Sequence, residues 1–225
     1  MKPIEYAKNG GHDLLRNAEQ RLAAGEIDEE GWYQQVDGVV TPAYLAGATP
    51  WAQSGKSGDY ADWEYARSHI ADAVHRDGAF LDVGCANGFL MECMAPWCAA
   101  RGFAVEPYGL DISSDLAELA RQRLPQWAHR IFDGNAIDWI PPRRFTFVRT
   151  GLEYVPLRRQ RDLVQHLMNE VLEPGGRLIL GNHNEERELH PTADLVESWG
   201  FEVAGMSERV HSDPRLAYRA VWIER

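Results

Sequence analysis

The chain has 225 residues, enough for one domain of ordinary size with a sizeable core. Its 23 Lys and Arg face 34 Asp and Glu, a formal charge of −11 that repels polyanions and disfavours RNA or DNA as a partner. Three cysteines, Cys85, Cys93 and Cys98, form no Cys-x-x-Cys pair and have no His at ligand spacing, so neither a metal site nor a disulfide framework is expected.

The opening MKPIEYAKNGGHDLL lacks the apolar run of a signal peptide, and no window approaches the ~18 apolar residues of a membrane span. The expectation is a soluble, cytoplasmic protein with reduced thiols and no membrane partner. Leu14, Leu15, Ala18 and Leu22 repeat at helical spacing, which predicts an amphipathic helix over 12–24, ended by Gly25, and a weaker one over 28–36. Residues 37–58 are rich in Gly, Pro, Thr and Ser, and read as an irregular segment lying over something.

Within it, Gly55-Lys56-Ser57 is the tail of a phosphate-loop pattern whose first glycine would fall at residue 50. Pro50 stands there, with no N–H and a fixed φ, and no buried strand precedes it. The triplet therefore reads as flexible punctuation in a mobile lid, with Lys56 touching no phosphate. Gln53, Tyr60, Trp63 and Arg67 are near enough in sequence to meet a ligand and are the candidate substrate contacts, with core packing the alternative for the aromatic residues.

Asp59 can cap a helix over 59–76, with Asp62 in its first turn and Trp63, Ala66, Ile70, Ala73 and Val74 as its apolar stripe. Strands are expected near 79–83, 105–110, 129–133, 145–149, 176–181, 201–209 and 216–224, with helices near 88–100, 113–123, 158–172 and 192–199. Such alternation means an α/β fold, a doubly wound and mostly parallel seven-stranded sheet. The last two strands leave no room for a helix, so the final strand should enter antiparallel. The expected division is an N-terminal helical cap and lid over 1–58 and the α/β domain over 59–225.

The strongest signal is Leu81-Asp82-Val83-Gly84-Cys85-Ala86-Asn87-Gly88-Phe89-Leu90. Small residues between a strand and a helix let a ligand approach the backbone, and the helix start offers unpaired N–H groups. Asp111 follows Gly88 by 111 − 88 = 23 residues, at the end of the next strand, where an acid can accept from ribose hydroxyls.

The runs LDVGCANG, GLDIS, FDGNAIDW and LEPGGRLIL resemble the class I (Rossmann-like) S-adenosylmethionine-dependent methyltransferases over residues 60–225. The resemblance implies S-adenosyl-L-methionine as cofactor and S-adenosyl-L-homocysteine as product. It also implies that Asp82 organises the loop near the methionine amino group, and that Gly84, Cys85, Ala86 and Gly88 line the methionine side. Asp111 and Ile112 would hold the ribose side. Asn135 and Ala136 stand at the family's adenine-binding turn, where an acid is usual.

Beyond the strand ends lie the candidate catalytic residues His183, Glu153 and Tyr154, with Asn182 beside the substrate. His183 suits a general base, although transfer from a sulfonium needs chiefly alignment. Arg149, set among the cofactor-binding residues, could receive an anionic substrate or pair with Glu153. His69, His190 and His211 read as structural. The function expected is methyl transfer to an O or N nucleophile of a small-molecule metabolite. A protein or peptide acceptor, or a non-catalytic S-adenosylmethionine-binding module, are the alternatives. The N-terminal segment would cap its own site or a neighbour's in a homodimer.

Overall fold

A computed structural model of the chain describes residues 3–56 and 58–225, with side chains from residue 13 onward except those at 182–184 and 186. Gly78–Val83 (β1), Val105–Asp111 (β2), Ile131–Asp133 (β3), Phe145–Thr150 (β4), Leu172–Glu186 (β5), Val203–Val210 (β6) and Leu216–Glu224 (β7) form one seven-stranded sheet in the order β3-β2-β1-β4-β5-β7-β6. β1 to β5 pair in parallel, whereas β7 runs antiparallel to β5 and β6 on either side. This is the doubly wound sheet with an antiparallel last strand that the sequence pattern predicts.

Alternation along the strands decides what each face buries. On one face Leu81, Val83, Leu110, Val148, Leu178 and Leu180 meet Leu163 and Val164 of Gln160–His166 (α6) and Val196 of Pro191–Ser198 (α7). On the other, Phe80, Phe147, Ile179, Ala220 and Trp222 meet Trp63 of Tyr60–Arg67 (α3) and Phe89, Leu90 and Met94 of Phe89–Ala99 (α4). Ala117 and Ala120 of Ser114–Arg123 (α5) pack with Cys85 and Met91 against Ile131.

The N-terminal part is more regular than its composition predicts. Pro3–Ala23 (α1) and Glu29–Leu45 (α2) pair through a small core of Ala18, Leu22 and Trp32, with Asp28 capping α2 through the Gly31 N–H at 2.8 Å. α2 continues well past residue 36, through Pro42, before the 3-10 turn Ala52–Ser54. Tertiary anchoring offsets the poor helix composition: the Thr41 hydroxyl donates to Asp37 Oδ1 at 2.6 Å and lies 2.9 Å from Ser113 Oγ, at the start of α5.

Two other elements differ from the pattern. The single helix expected over 59–76 is α3, capped by Asp59 and Asp62 as expected, then a 3-10 stretch Ser68–Ala73. Likewise α6 gives way to a π-turn over Leu167–Val171. Among the described residues no helix is long and apolar enough to cross a membrane.

Candidate active site

In a sheet of this winding a ligand sits beyond the carboxyl ends of the strands, where the order reverses between β1 and β4. Register places Asp82 of β1 beside Arg149 of β4, and Asp111 of β2 beside Asp133 of β3. The turn after β1 is built on positive φ: Gly84 and Gly88 both at 75°, and Ala86 at 48°. A Cβ on Gly84 would come within 2.4 Å of the Tyr154 ring, so glycine is required there both for φ and for space. The strained Ala86 is held because its N–H donates to Asp111 Oδ2 at 2.7 Å.

Asp111 also accepts from the Ser113 N–H at 2.9 Å. Its carboxylate thus fixes the glycine turn and the start of α5 together. Burial pushes Asp111 up to about 6 despite these donors, and burial likewise pushes Asp82 up to about 6 against the pull of Arg149.

Asn87, fully buried, fastens the N-terminal segment onto the turn. Its amide donates to Pro50 O at 2.9 Å and Gln53 Oε1 at 3.2 Å, while its Oδ1 accepts from Ser54 Oγ at 2.6 Å and the Phe89 N–H at 3.1 Å. Together with Thr41 on Ser113, these bonds lay the segment after α2 across the glycine turn. Beside it opens a cavity of about 280 Å³ lined by Glu30, Tyr33, Gln34, Asp37, Ile112 and Asn135. Polar groups from α2 face the half-exposed Ile112 side chain across it.

At the β4 end Arg149 is 3% exposed, and its Nη1 donates to Asp82 Oδ1 at 3.2 Å and to the Tyr154 hydroxyl at 3.1 Å. Burial alone would lower the guanidinium, but Tyr154, Asp82 and Glu153 hold it above its ordinary value. Arg67 is likewise buried, and lowered to about 10 by desolvation first and then by the charge of Arg149.

The predicted residues divide accordingly. Asp82, Gly84, Cys85, Ala86, Gly88, Asp111, Ile112, Asn135, Ala136 and Arg149 lie together at the strand ends, with the Cys85 thiol itself turned into the core beside Gly109. Gln53 touches the turn through Asn87, and Tyr154 covers Gly84. Glu153 is exposed, its carboxylate folded back over Gly151, and Arg158 pairs with Glu29 rather than with it.

Two of the expected substrate contacts pack on the Phe89 ring of α4. Trp63 is 1% exposed and packs 5.1 Å from the Phe89 ring. Tyr60 sits on the outer side of the same cluster, bonded to Glu64. The Trp63 surface is used up against α4, whereas Tyr60 stays 40% exposed. His183 and Asn182 belong to β5, just past Gly181, but their side chains lie outside the described residues.

Lys56 is the larger correction. It is 8% exposed, its Nζ 3.1 Å from the Tyr218 hydroxyl, so it is packed against β7 rather than loose in a lid. Sequence reading also missed Asn87, Thr41 and the α2 residues that line the cavity. Only Asn87 carried a signal, being the one large polar residue inside an otherwise small-residue turn.

Residues 80–176 match the family model described as a methyltransferase domain. No curated protein matches the chain. Solved structures share the fold at low identity. A SAM-dependent methyltransferase from Aquifex aeolicus is 13% identical with a TM-score of 0.56, over 77% of this chain and 98% of that one. The [4+2]-cyclase SpnF is 16% identical, TM-score 0.59, over 86% and 96%. A ribosomal protein L11 methylase from Lactobacillus delbrueckii subsp. bulgaricus is 16% identical, TM-score 0.50, over 75% and 82%.

The residues present fit S-adenosylmethionine. A carboxylate at the end of β2 opens beside a cavity with an apolar wall at Ile112 and an amide at Asn135, the donor and acceptor set that a nucleoside needs. Glycine turn, strand order, this donor set and the family match converge on a methyltransferase domain of Rossmann-like fold, matched over residues 80–176.

Proposed function

We propose that the enzyme methylates an O or N nucleophile of a small molecule rather than a protein. The observation that carries this reading is the cap: residues 50–54 are hydrogen-bonded through Asn87 directly onto the glycine turn. A segment held this close to the turn favours a compact acceptor over a folded protein, which would need an open groove.

When bound, S-adenosylmethionine supplies a methyl group on a sulfonium, whose departure leaves a neutral thioether. The chain's part is positioning. Asp111 would hold the ribose, Ile112 and Asn135 the base, and Gly84 and Gly88 the methionine side. Arg149 fixes Asp82 and Tyr154 so that neither moves as the acceptor aligns. Cap closure excludes water from this space.

Labelled S-adenosylmethionine, incubated with the enzyme and panels of small acids, phenols and amines, should place its label in small molecules. Label found only in added peptides or proteins would overturn the reading. Tight S-adenosylhomocysteine binding with no transfer to any acceptor would instead favour a cofactor-binding protein of other activity, for which a cyclase on this fold is a precedent.

A further inference from the structure

Glu30, Tyr33, Gln34 and Asp37 fall at i, i+3, i+4 and i+7 of α2, so they share one face of the helix, and all four line the 280 Å³ cavity with Ile112 and Asn135. A helix on a protein surface ordinarily turns its polar face to water; α2 turns this one over a cavity and leaves Val39 exposed. Thr41, one turn further along the same face, sets the register. Its hydroxyl lies 2.6 Å from Asp37 Oδ1 and 2.9 Å from Ser113 Oγ, and the Ser113 N–H donates to Asp111 Oδ1 at 2.9 Å. Asp37 and Asp111 are thus the two ends of one bonded chain. Between Asp111 and Ser113, which are 6% and 7% exposed, Ile112 is 46% exposed toward the cavity. One turn before Asp37 the Tyr33 hydroxyl, shut off from solvent, lies beside Asn135 without a well-formed hydrogen bond.

An apolar wall facing a polar one across such a space suits a nucleoside, whose ring needs an apolar surface and whose hydroxyls need acceptors. Asp111 is poorly placed to supply all of them: it is nearly buried, and each of its oxygens already accepts a backbone N–H. Asp37 is half-buried on the cavity wall and spends only Oδ1, on Thr41. Its other oxygen is left for a ligand. We infer that Asp37 positions the cofactor, its second carboxylate oxygen accepting from a ribose hydroxyl of S-adenosylmethionine across from Asp111. The inference rests on the methyltransferase reading above. The helix register agrees with it: Tyr33 and Asp37 are separated by a rise of about 6 Å, comparable to the span from base to ribose, and it is Tyr33 that lies beside Asn135.

Calorimetry on the full chain tests this with S-adenosylhomocysteine, adenosine, 2′-deoxyadenosine and 3′-deoxyadenosine. Wild type should prefer adenosine to one of the deoxy forms by about ten-fold or more. Asp37→Ala and Asp37→Asn should each weaken S-adenosylhomocysteine and adenosine about ten-fold and leave that deoxy form within about three-fold of its wild-type affinity. Thr41→Val removes the same hydrogen bond but keeps the carboxylate, so it controls for the docking of α2 and should shift the ribose and deoxy forms alike. The inference is overturned if the Asp37 variants also shift every ligand alike, since Asp37 would then only hold Thr41. Unchanged affinity in those variants, or a wild type indifferent to both missing hydroxyls, would overturn it too. A wild type that binds adenosine but not S-adenosylhomocysteine would sink the methyltransferase reading instead, and the adenosine ratios would then decide the role of Asp37 by themselves; binding of neither would overturn both.

Discussion

Asp111 holds the Ala86 and Ser113 N–H groups, and in the reading proposed above the same carboxylate would meet the ribose. With its ionisation raised to about 6 by burial, protonation sets in not far below neutrality. S-adenosylhomocysteine affinity should therefore be level above pH 7 and fall as pH drops through 6, by at most about ten-fold per unit for this one group. Calorimetry from pH 5 to 8 checks this, and a flat profile would show that the ribose meets another group. Stability has the opposite sign. The unfolded carboxyl titrates near ~3.9, so between about 4 and 6 the folded protein binds more protons at Asp111 and Asp82. On account of these two groups the free protein gains stability as pH falls through that window, the reverse of an ordinary salt-bridged carboxylate. Asp111→Asn should weaken the cofactor by about 1–3 kcal/mol, the range for hydrogen bonds to a charged acceptor.

Among the elements, the segment between α2 and α3 depends most on one distant residue. Asn87 supplies its contacts to Pro50, Gln53 and Ser54, and Gly55 lets the chain turn at φ 78° against Tyr44. Asn87→Ala should cost about 2–3 kcal/mol, because buried partners lose their bonds. It should also speed limited proteolysis between Gly47 and Gly58, with S-adenosylhomocysteine suppressing the cut in wild type. Equal cutting of wild type and variant would show that the segment is held from elsewhere. The glycine turn and the Asp59 cap were legible because their residues are neighbours in sequence. The length of α2 was not, since Gly38, Thr41 and Pro42 argue locally against a helix that a bond to Ser113 sustains.

For the molecule as a whole, β7 is the strand on which the far half closes. Its Arg219, with no side-chain exposure, pairs with Glu185 of β5 at 2.6 Å and Glu208 of β6 at 2.6 Å, and donates to the carbonyls of Arg187 and Leu189. Glu185 in turn accepts from the Thr192 N–H at the start of α7. Arg219→Met should cost about 3–5 kcal/mol in thermal or denaturant unfolding, since two carboxylates lose their partner, one of them fully buried. Adding Glu185→Gln should recover part of that loss, and a double variant no better than the single would show that the pair is not the cause. Sequence alone determined the sheet, its strand order by resemblance, the antiparallel β7 and the acid positions at the strand ends, because period-two alternation and short-range turn chemistry are written between near neighbours. Tertiary structure alone decided that Ser54 meets Asn87, Thr41 meets Ser113 and Lys56 meets Tyr218, at separations of 33, 72 and 162 residues. Single polar residues meeting at such distances carry no periodicity; only the packed sheet brings them together, and that is where the cap arises.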